Sequence, residues 1–300
     1  MNSLGFPDYN LNGVITFNSG TADAQGSYWF MDGEMAGWDS PDGRVTMLTR
    51  IGSGPIADGE YPADEHYRGR TLVFKLYAAC YSETQREGSR LLLAQALDLV
   101  GNPGTLTVNE ATPKFVTITR SGNSAQGKLT MIDRGLSLPA VISRGFTIPQ
   151  PNDPKGLYIL EANIEVYATD PRKYAVTPVT YTAQASGYTF TNPGNTRTVN
   201  AVFTLHNPSA GSMILNVSTA NQTGVQFQVP TSSGPALPGF PNPLVIDAYQ
   251  KLIRDASNNN YYYLRNLLGT TAWPAIIAGS NNVTLSGPTS FDLTYYPAWI

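Results

Sequence analysis

Two histidines, His66 and His206, one cysteine, Cys80, and 22 acidic residues are the side chains of this 300-residue chain best suited to chemistry. A zinc centre built from His and Cys needs about four such ligands. Two histidines and one cysteine do not supply them. A Ser–His–Asp triad needs only to meet in space, but the G-x-S-x-G elbow that would announce one is missing. His206 closes an alternating stretch just before Asn207 and Pro208 and reads as a partly exposed structural histidine. Gly52, Gly54 and Ala57 have the G-x-G-x-x-A spacing of a dinucleotide fingerprint. That fingerprint must open a helix whose N-terminus meets the pyrophosphate. Pro55, Asp58, Gly59 and Pro62 follow instead, so the stretch reads as a loop. Asp8, Asn10, Asn12 and Gly13 imitate the start of a calcium loop, but the position of the closing bidentate glutamate falls on Ser19. Asp64 and Glu65 are consecutive, so in extended chain they point apart and make no glycosidase pair. Tyr261, Tyr262, Tyr263, Trp273 and Trp299 could form an aromatic platform for a sugar. The alternative is that they fill a core, as aromatics commonly do. No catalytic, cofactor or metal site is carried forward from these patterns.

The elements that would position such residues are mostly strands. Charged residues make up 14% of the chain, against ~25% in typical domains. Gly (28), Pro (22) and Tyr (17) are frequent, which favours strands joined by many turns. The clearest strands span 70–80, 115–120 and 157–167. Farther on, Val199, Ala201, Phe203 and Leu205 alternate with neighbours on the other face, and so do Phe291, Leu293 and Tyr295. Residues 255–260 read as a hairpin turn. One helix is expected near 83–100. Ser82 and Gln85 form a capping box, Leu93, Leu97 and Val100 share a face, and Gly101 and Pro103 stop it. Gly88 weakens its first turn.

Charge divides the chain. Residues 1–178 hold 15 of the 19 basic and 19 of the 22 acidic residues. The shift coincides with a polar, turn-rich stretch at 183–195, and two domains are expected, 1–178 and 179–300. The second reads as an antiparallel β-sandwich. No stretch of about 18 apolar residues is present for a transmembrane helix. The first twenty residues lack the basic start and apolar centre of a secretory signal. A net charge of −3 argues against nucleic-acid binding as the main task. Cys80 ends the apolar run of residues 72–77 and reads as a buried thiol, in a protein folded in a reducing compartment.

Several stretches are similar to one family, the distal tail proteins of siphophages. Ala168, Asp170, Pro171 and Tyr174 match the "A-x-D-P-x-x-Y" ending of that family's ring domain. Tyr67, Gly69 and Arg70 match the "Y-x-G-R" entry to its central strand, and the helix at 83–100 stands where the family has its single helix. Asn192, Pro193 and Gly194, then Trp273 with Pro274, Gly279 with Asn281, and the terminal Trp299 resemble the family's galectin-like sandwich. Each also has a plain physical role: Pro171 ends a strand, Asp170 can bond the backbone after it, and Gly69 permits a tight turn.

The resemblance implies a mainly β protein, with an N-terminal β ring domain bearing one α-helix and a C-terminal galectin-like antiparallel sandwich. It implies a structural, non-enzymatic virion protein at the distal end of the tail, made in the host bacterial cytoplasm and needing no cofactor. It implies a homo-hexamer joining the tail tube protein to the tail-tip hub protein around a passage for DNA. The sandwich would hold receptor-binding or side-fibre proteins. A lectin-like module for host attachment is the alternative, and a tail-associated hydrolase the third. Some of the acidic side chains of residues 1–66, with Asp32, Glu34, Asp39, Asp42, Asp58 and Glu60 the candidates, would face the passage, because a negative wall repels phosphate; the alternative is a solvated acidic face.

Overall fold

The computed structural model describes residues 7–39, 49–51, 60–62, 69–99, 103–118, 130–133, 158–168, 170–208, 212–218, 226–228, 241–261 and 273–300. The chain forms two compact units, residues 1–173 with Ile300, and residues 174–299. Both are mainly β.

The first unit contains β1 (Asp8–Leu11), β2 (Ile15–Phe17), β3 (Tyr28–Met31), β4 (Thr49–Ile51), β5 (Glu60–Pro62) and β6 (Arg70–Cys80). Helix α1 (Glu83–Ala96) follows, then β7 (Gly104–Asn109), β8 (Lys114–Ile118), β9 (Thr130–Asp133) and β10 (Tyr158–Ala168). β4 and β5 form a separate pair, and the other strands lie in the order β8-β7-β1-β2-β3-β6-β10-β9. β2 and β3 run parallel and the remaining neighbours antiparallel. β6 and β10 are paired over all eleven residues of each, from Arg70↔Ala168 to Cys80↔Tyr158. β8 also packs against β10 although five strands separate them, so the sheet curls on itself.

Period-two alternation builds the core. Leu72, Phe74, Leu76, Ala78 and Cys80 share a face of β6, and they meet Leu160, Ala162, Ile164, Val166 and Ala168 of β10. Leu11, Phe17, Trp29, Leu106 and Val116 complete the interior. Burying each large apolar side chain contributes about 1.5–3 kcal/mol. Cys80 is a buried free thiol in this core, and burial pushes its pKa up. The opposite face carries a smaller buried cluster of Phe30, Tyr77, Ala79 and Ile159.

Helix α1 packs Leu93 and Ala96 on the core. Ser82 caps it, its hydroxyl accepting from the Gln85 N–H at 3.2 Å. The Gln85 side chain reaches one residue past the cap and accepts from the Tyr81 N–H at 2.7 Å. The helix ends at Ala96, four residues short of the expected 100. A side chain at Gly88 would overlap Gln25, so this glycine lets the loop at 23–27 lie against the helix. Asp23 fastens that loop, accepting from the Trp29 indole and the Ser89 hydroxyl, both at 2.8 Å.

β11 (Lys173–Ala175) lies where the two units divide. The second unit then contains β12 (Val179–Gln184), β13 (Tyr188–Asn192), β14 (Ala201–His206), β15 (Ser212–Ser218), β16 (Gln226–Gln228), β17 (Leu244–Asp247), β18 (Leu252–Asp255), β19 (Gly279–Ser286), β20 (Ser290–Tyr295) and β21 (Ala298–Trp299). Two antiparallel sheets, β12-β20-β14-β17-β18 and β13-β19-β15-β16, enclose one core. Phe203, Leu205, Ile246 and Leu293 from the first sheet meet Phe190, Leu215, Val217 and Val283 from the second. This is a β-sandwich. The polar stretch at 183–195 is no linker: β12 and β13 fill most of it. It reads as polar because edge strands show Thr189 and Thr191 to solvent while burying Phe190 and Asn192.

Candidate assembly corner around Trp38

Four segments distant in sequence converge in the first unit around Trp38. After β3 the chain continues along β6, with Asp32 N–H donating to Lys75 O at 2.9 Å and Ala36 and Val73 exchanging both backbone bonds. It turns at Gly37, whose φ is +84° and whose Cβ, if present, would overlap the Thr71 carbonyl. Glycine is required there on both counts. The turn aims two carbonyls at Arg70. Its Nη1 donates to Gly37 O at 3.2 Å and to Trp38 O at 2.7 Å.

The Trp38 indole is buried and donates to Glu110 Oε1 at 2.9 Å, and Glu110 Oε2 pairs with Lys114 at 3.0 Å between β7 and β8. Lys173 comes from the end of the unit. Its Nζ lies 4.7 Å over the Trp38 ring and 3.1 Å from Asp39 Oδ1. An ammonium on an indole face is attracted by the ring quadrupole. Asp170 Oδ1 accepts from the Arg172 backbone N–H at 3.1 Å, and its two oxygens receive Nε at 2.7 Å and Nη2 at 2.8 Å of the same residue.

Burial governs the electrostatics. Desolvation lowers the Arg70 pKa, while Asp170 and Asp39 oppose the shift. Burial also lowers that of Lys173, against the pull of Asp39. The Tyr9 phenol stacks on Phe17 at 5.0 Å. Its pKa is pushed up to about 12, first by burial and then by Glu110, Asp39 and Glu34. Nothing here pairs a nucleophile with a base. The corner is a set of ion pairs and backbone clamps, suited to holding segments together and to meeting charge. Among the described residues no group of three or more His, Cys, Asp or Glu is placed to hold a metal ion.

Arg70 and Asp170 of the two N-terminal motifs lie in this corner, with Gly69 beside them. A Cβ on Gly69 would overlap the Tyr167 hydroxyl and the Ala168 carbonyl, so close packing against β10 accounts for the glycine. Pro171 is buried. Tyr67, Asp42 and Asp58 lie outside the described residues, as do His66, Tyr262 and Tyr263. Glu60 opens β5 and its side chain is not among those described. Asp32, Glu34 and Asp39 are exposed.

The remaining motif residues belong to the second unit. Tyr174 and Pro274 are buried there, and Trp299 is half-buried in β21. Trp273 and Tyr261 pack against the sandwich core. Asn281 makes three short bonds, accepting from Ile277 N–H and donating to Ile277 O and Gly279 O. Gly279 has a φ of +79° and starts that turn. Asn192 does similar work, accepting from Gly194 N–H and donating to Ile277 O. A side chain on Gly194 would overlap the Ala298 backbone.

Sequence reasoning did not single out Trp38, Gly37, Glu110, Arg172 or Lys173 as site residues. The adjacent Arg172 and Lys173 after Asp170 were the available signal. Trp38 carries no local pattern, because its partners are 72 and 135 residues away along the chain.

No protein-family model and no curated protein matches the sequence. Solved structures do. Chains of the phage P2 baseplate in its activated conformation, with calcium and with strontium, are each 9% identical, with TM-scores of 0.46 and 0.47. Both cover 97% of this chain, and this chain covers 97% and 98% of them. The crystal structure of the SPP1 Dit protein (gp 19.1), described as a paradigm of the hub adsorption apparatus in phages infecting Gram-positive bacteria, is 14% identical. It aligns over 90% of this chain and 98% of its own, with a TM-score of 0.51. In fold, this chain is similar to that SPP1 Dit protein along nearly its whole length.

Proposed function

We propose that this chain is a structural protein of a bacteriophage tail tip. The observation that carries the reading is the likeness to the SPP1 Dit protein across both units, at 90% coverage. In this reading the first unit assembles as a hexameric ring between the tail tube protein and the tail-tip hub protein. The sandwich carries receptor-binding or side-fibre proteins. The reading assigns no catalytic residue and no cofactor. Rings require heterologous contacts that close, and partly exposed charged side chains such as Lys114 and Arg172 suit such contacts.

The passage for DNA follows from the same reading. Asp32, Glu34 and Asp39 are exposed and would line it with negative charge, which repels phosphate. Native mass spectrometry and electron microscopy of the purified chain test the ring: closed six-membered rings are expected, and monomers at every concentration would overturn it. Duplex DNA should pass unretained at moderate salt, and tight binding that falls steeply with salt would defeat the acidic passage.

We read residues 1–178 and 179–300 as two separable domains. Val176 and Thr177 are exposed between β11 and β12, so brief proteolysis should cut there first. Resistant fragments crossing that point would count against separability.

A further inference from the structure

We propose that the Trp38 corner is an oxyanion-binding site, suited above all to a carboxylate, which pairs with the unmatched edge of the Arg70 guanidinium. Arg70 is wholly buried. Its Nη1 is engaged by the Gly37 and Trp38 carbonyls. Its Nε and Nη2 are buried too, and among the described residues neither has a hydrogen-bond acceptor. These two N–H groups lie along one edge of the planar guanidinium. They form the fork that accepts a carboxylate or phosphate through two parallel bonds. A buried cation whose strongest donor pair is unmatched is unfavourable until an anion meets it.

The neighbouring carboxylates are already engaged. Arg70 pairs with Ala168 in the β6–β10 register, and Asp170 stands two residues farther on. Both Asp170 oxygens are held by Arg172, side-on, in the geometry that Arg70 lacks. Asp39 is held by Lys173. Around Arg70 the described residues therefore set three cations, Arg70, Arg172 and Lys173, against Asp39 and Asp170, the two carboxylates that act on it. Glu110 and Lys114 cancel each other. Arg70 and Lys173 also repel, since the Arg70 charge helps to lower the Lys173 pKa. One more negative charge relieves both conditions at once. Asp39, the partner of Lys173, is 88% exposed, so the corner reaches the surface at that side.

Such an anion has two sources. It is either a small free oxyanion or an Asp or Glu side chain of a second copy of this chain. Only the second source rests on the assembly proposed above. The test is the unfolding temperature of the intact protein at constant ionic strength, with chloride replaced stepwise by acetate and, separately, by inorganic phosphate. Native mass is recorded alongside. For the free-anion source, the wild-type midpoint should rise and saturate, by about 3 °C at about ten times the dissociation constant. The rise should vanish in Arg70→Lys, which keeps the charge but loses the fork. It should need about tenfold more anion in Lys173→Met, which keeps Arg70 and supplies the test should Arg70→Lys fail to fold.

For the second-copy source, acetate and phosphate leave the wild-type midpoint unmoved, but the association constant falls at least about tenfold in Arg70→Lys or Lys173→Met. A rise of equal size in wild type and variants is a bulk salt effect and overturns the proposal. So does the absence of any saturable rise together with unchanged association in both variants. If the protein is monomeric throughout, the ring reading fails, and a saturable acetate response still upholds the oxyanion site.

Discussion

The two units solve the burial of polar groups differently. The first buries ions: Arg70, Glu161 and Lys173 are all nearly inaccessible. The second buries mainly neutral groups, Asn192, Asn281, Thr196 and Thr198, with Asp247 capping the Gln250 N–H at 2.9 Å. Neutral side chains that clamp nearby backbone are satisfied within the unit and ask nothing of a partner. Buried ions are costly unless every donor and acceptor is met, and Arg70 is not fully met. Among the described residues the sandwich too leaves buried atoms unmatched, Asn282 Oδ1 and the Tyr295 hydroxyl, but these are neutral, so the contrast assigns charge-dependent behaviour to the curled sheet.

The largest expected effect lies in the first unit. Glu161, 3% exposed, pairs with Lys75 at 3.0 Å across β6 and β10, and Lys75 is 30% exposed. Lys75→Met should cost about 2–3 kcal/mol in urea unfolding, below the upper range for buried pairs because Lys75 touches water. The Lys75 pKa is raised, by Tyr77 first and then by Glu161. A raised pKa contributes stability that is full below the ordinary lysine value of 10.5 and is lost as pH climbs through the raised one. Wild type and variant should therefore converge in strongly alkaline solution. A cost below about 0.5 kcal/mol would erase the contrast between the units.

Asn281→Ala comes next. It strands the Ile277 N–H, while the Ile277 carbonyl keeps the Asn192 amide, and should cost about 2 kcal/mol. The loss should be the same at low and high salt, unlike that of Lys75→Met. A strong salt dependence would show that the sandwich, too, relies on charge. Trp38→Phe keeps a ring beneath Lys173 but removes the bond to Glu110 and part of the buried indole. About 1–2 kcal/mol is expected from chemical denaturation. A neutral result would mean that Lys114 alone satisfies Glu110.

The smallest effect lies at the surface of the sandwich. Asp292 accepts from Ala183 N–H at 2.7 Å and pairs with His206 at 2.9 Å. Partial burial raises the Asp292 pKa, but the Ala183 N–H and the His206 ring outweigh it, and the net shift is downward. The stability it contributes is present above the ordinary carboxylate value of 3.8 and is lost as pH falls through the lowered one. Both side chains are about a third exposed, at 29% and 33%, so Asp292→Asn should cost about 0.5 kcal/mol near neutrality. Thermal melts at pH 7 and pH 3 should show that difference closing in acid.

Much of the fold was legible because it follows from local rules. The alternation at 70–80 and at 291–295 marks strands that bury one face, and both are strands of the structure, β6 and β20. Ser82 and Gln85 mark a helix start by the bonds they can make within one turn. The strands at 179–184 and 188–192 were not legible in the polar stretch at 183–195, because a solvated edge strand and a turn-rich segment share a composition. The candidate site was legible only as fragments. Arg70 stood out as part of a motif, but its burial follows from the chain turning at Gly37, some 30 residues away.

The sequence by itself determined that this is a strand-rich chain with one capped helix, few charges after residue 178 and apolar faces of period two. These properties depend on neighbours within a few residues, and steric and hydrogen-bonding rules act at that range. Only the tertiary structure decided that Arg70, Trp38, Glu110 and Lys173 share one corner and that two buried Arg70 donors stay unmatched there among the described residues. It also decided that Gly69 and Gly194 are held to glycine by close packing rather than by a positive φ. Those outcomes depend on the curl of a sheet whose strands come from distant parts of the chain. Desolvation and long-range pairing act only once the fold has closed, so no local pattern encodes them.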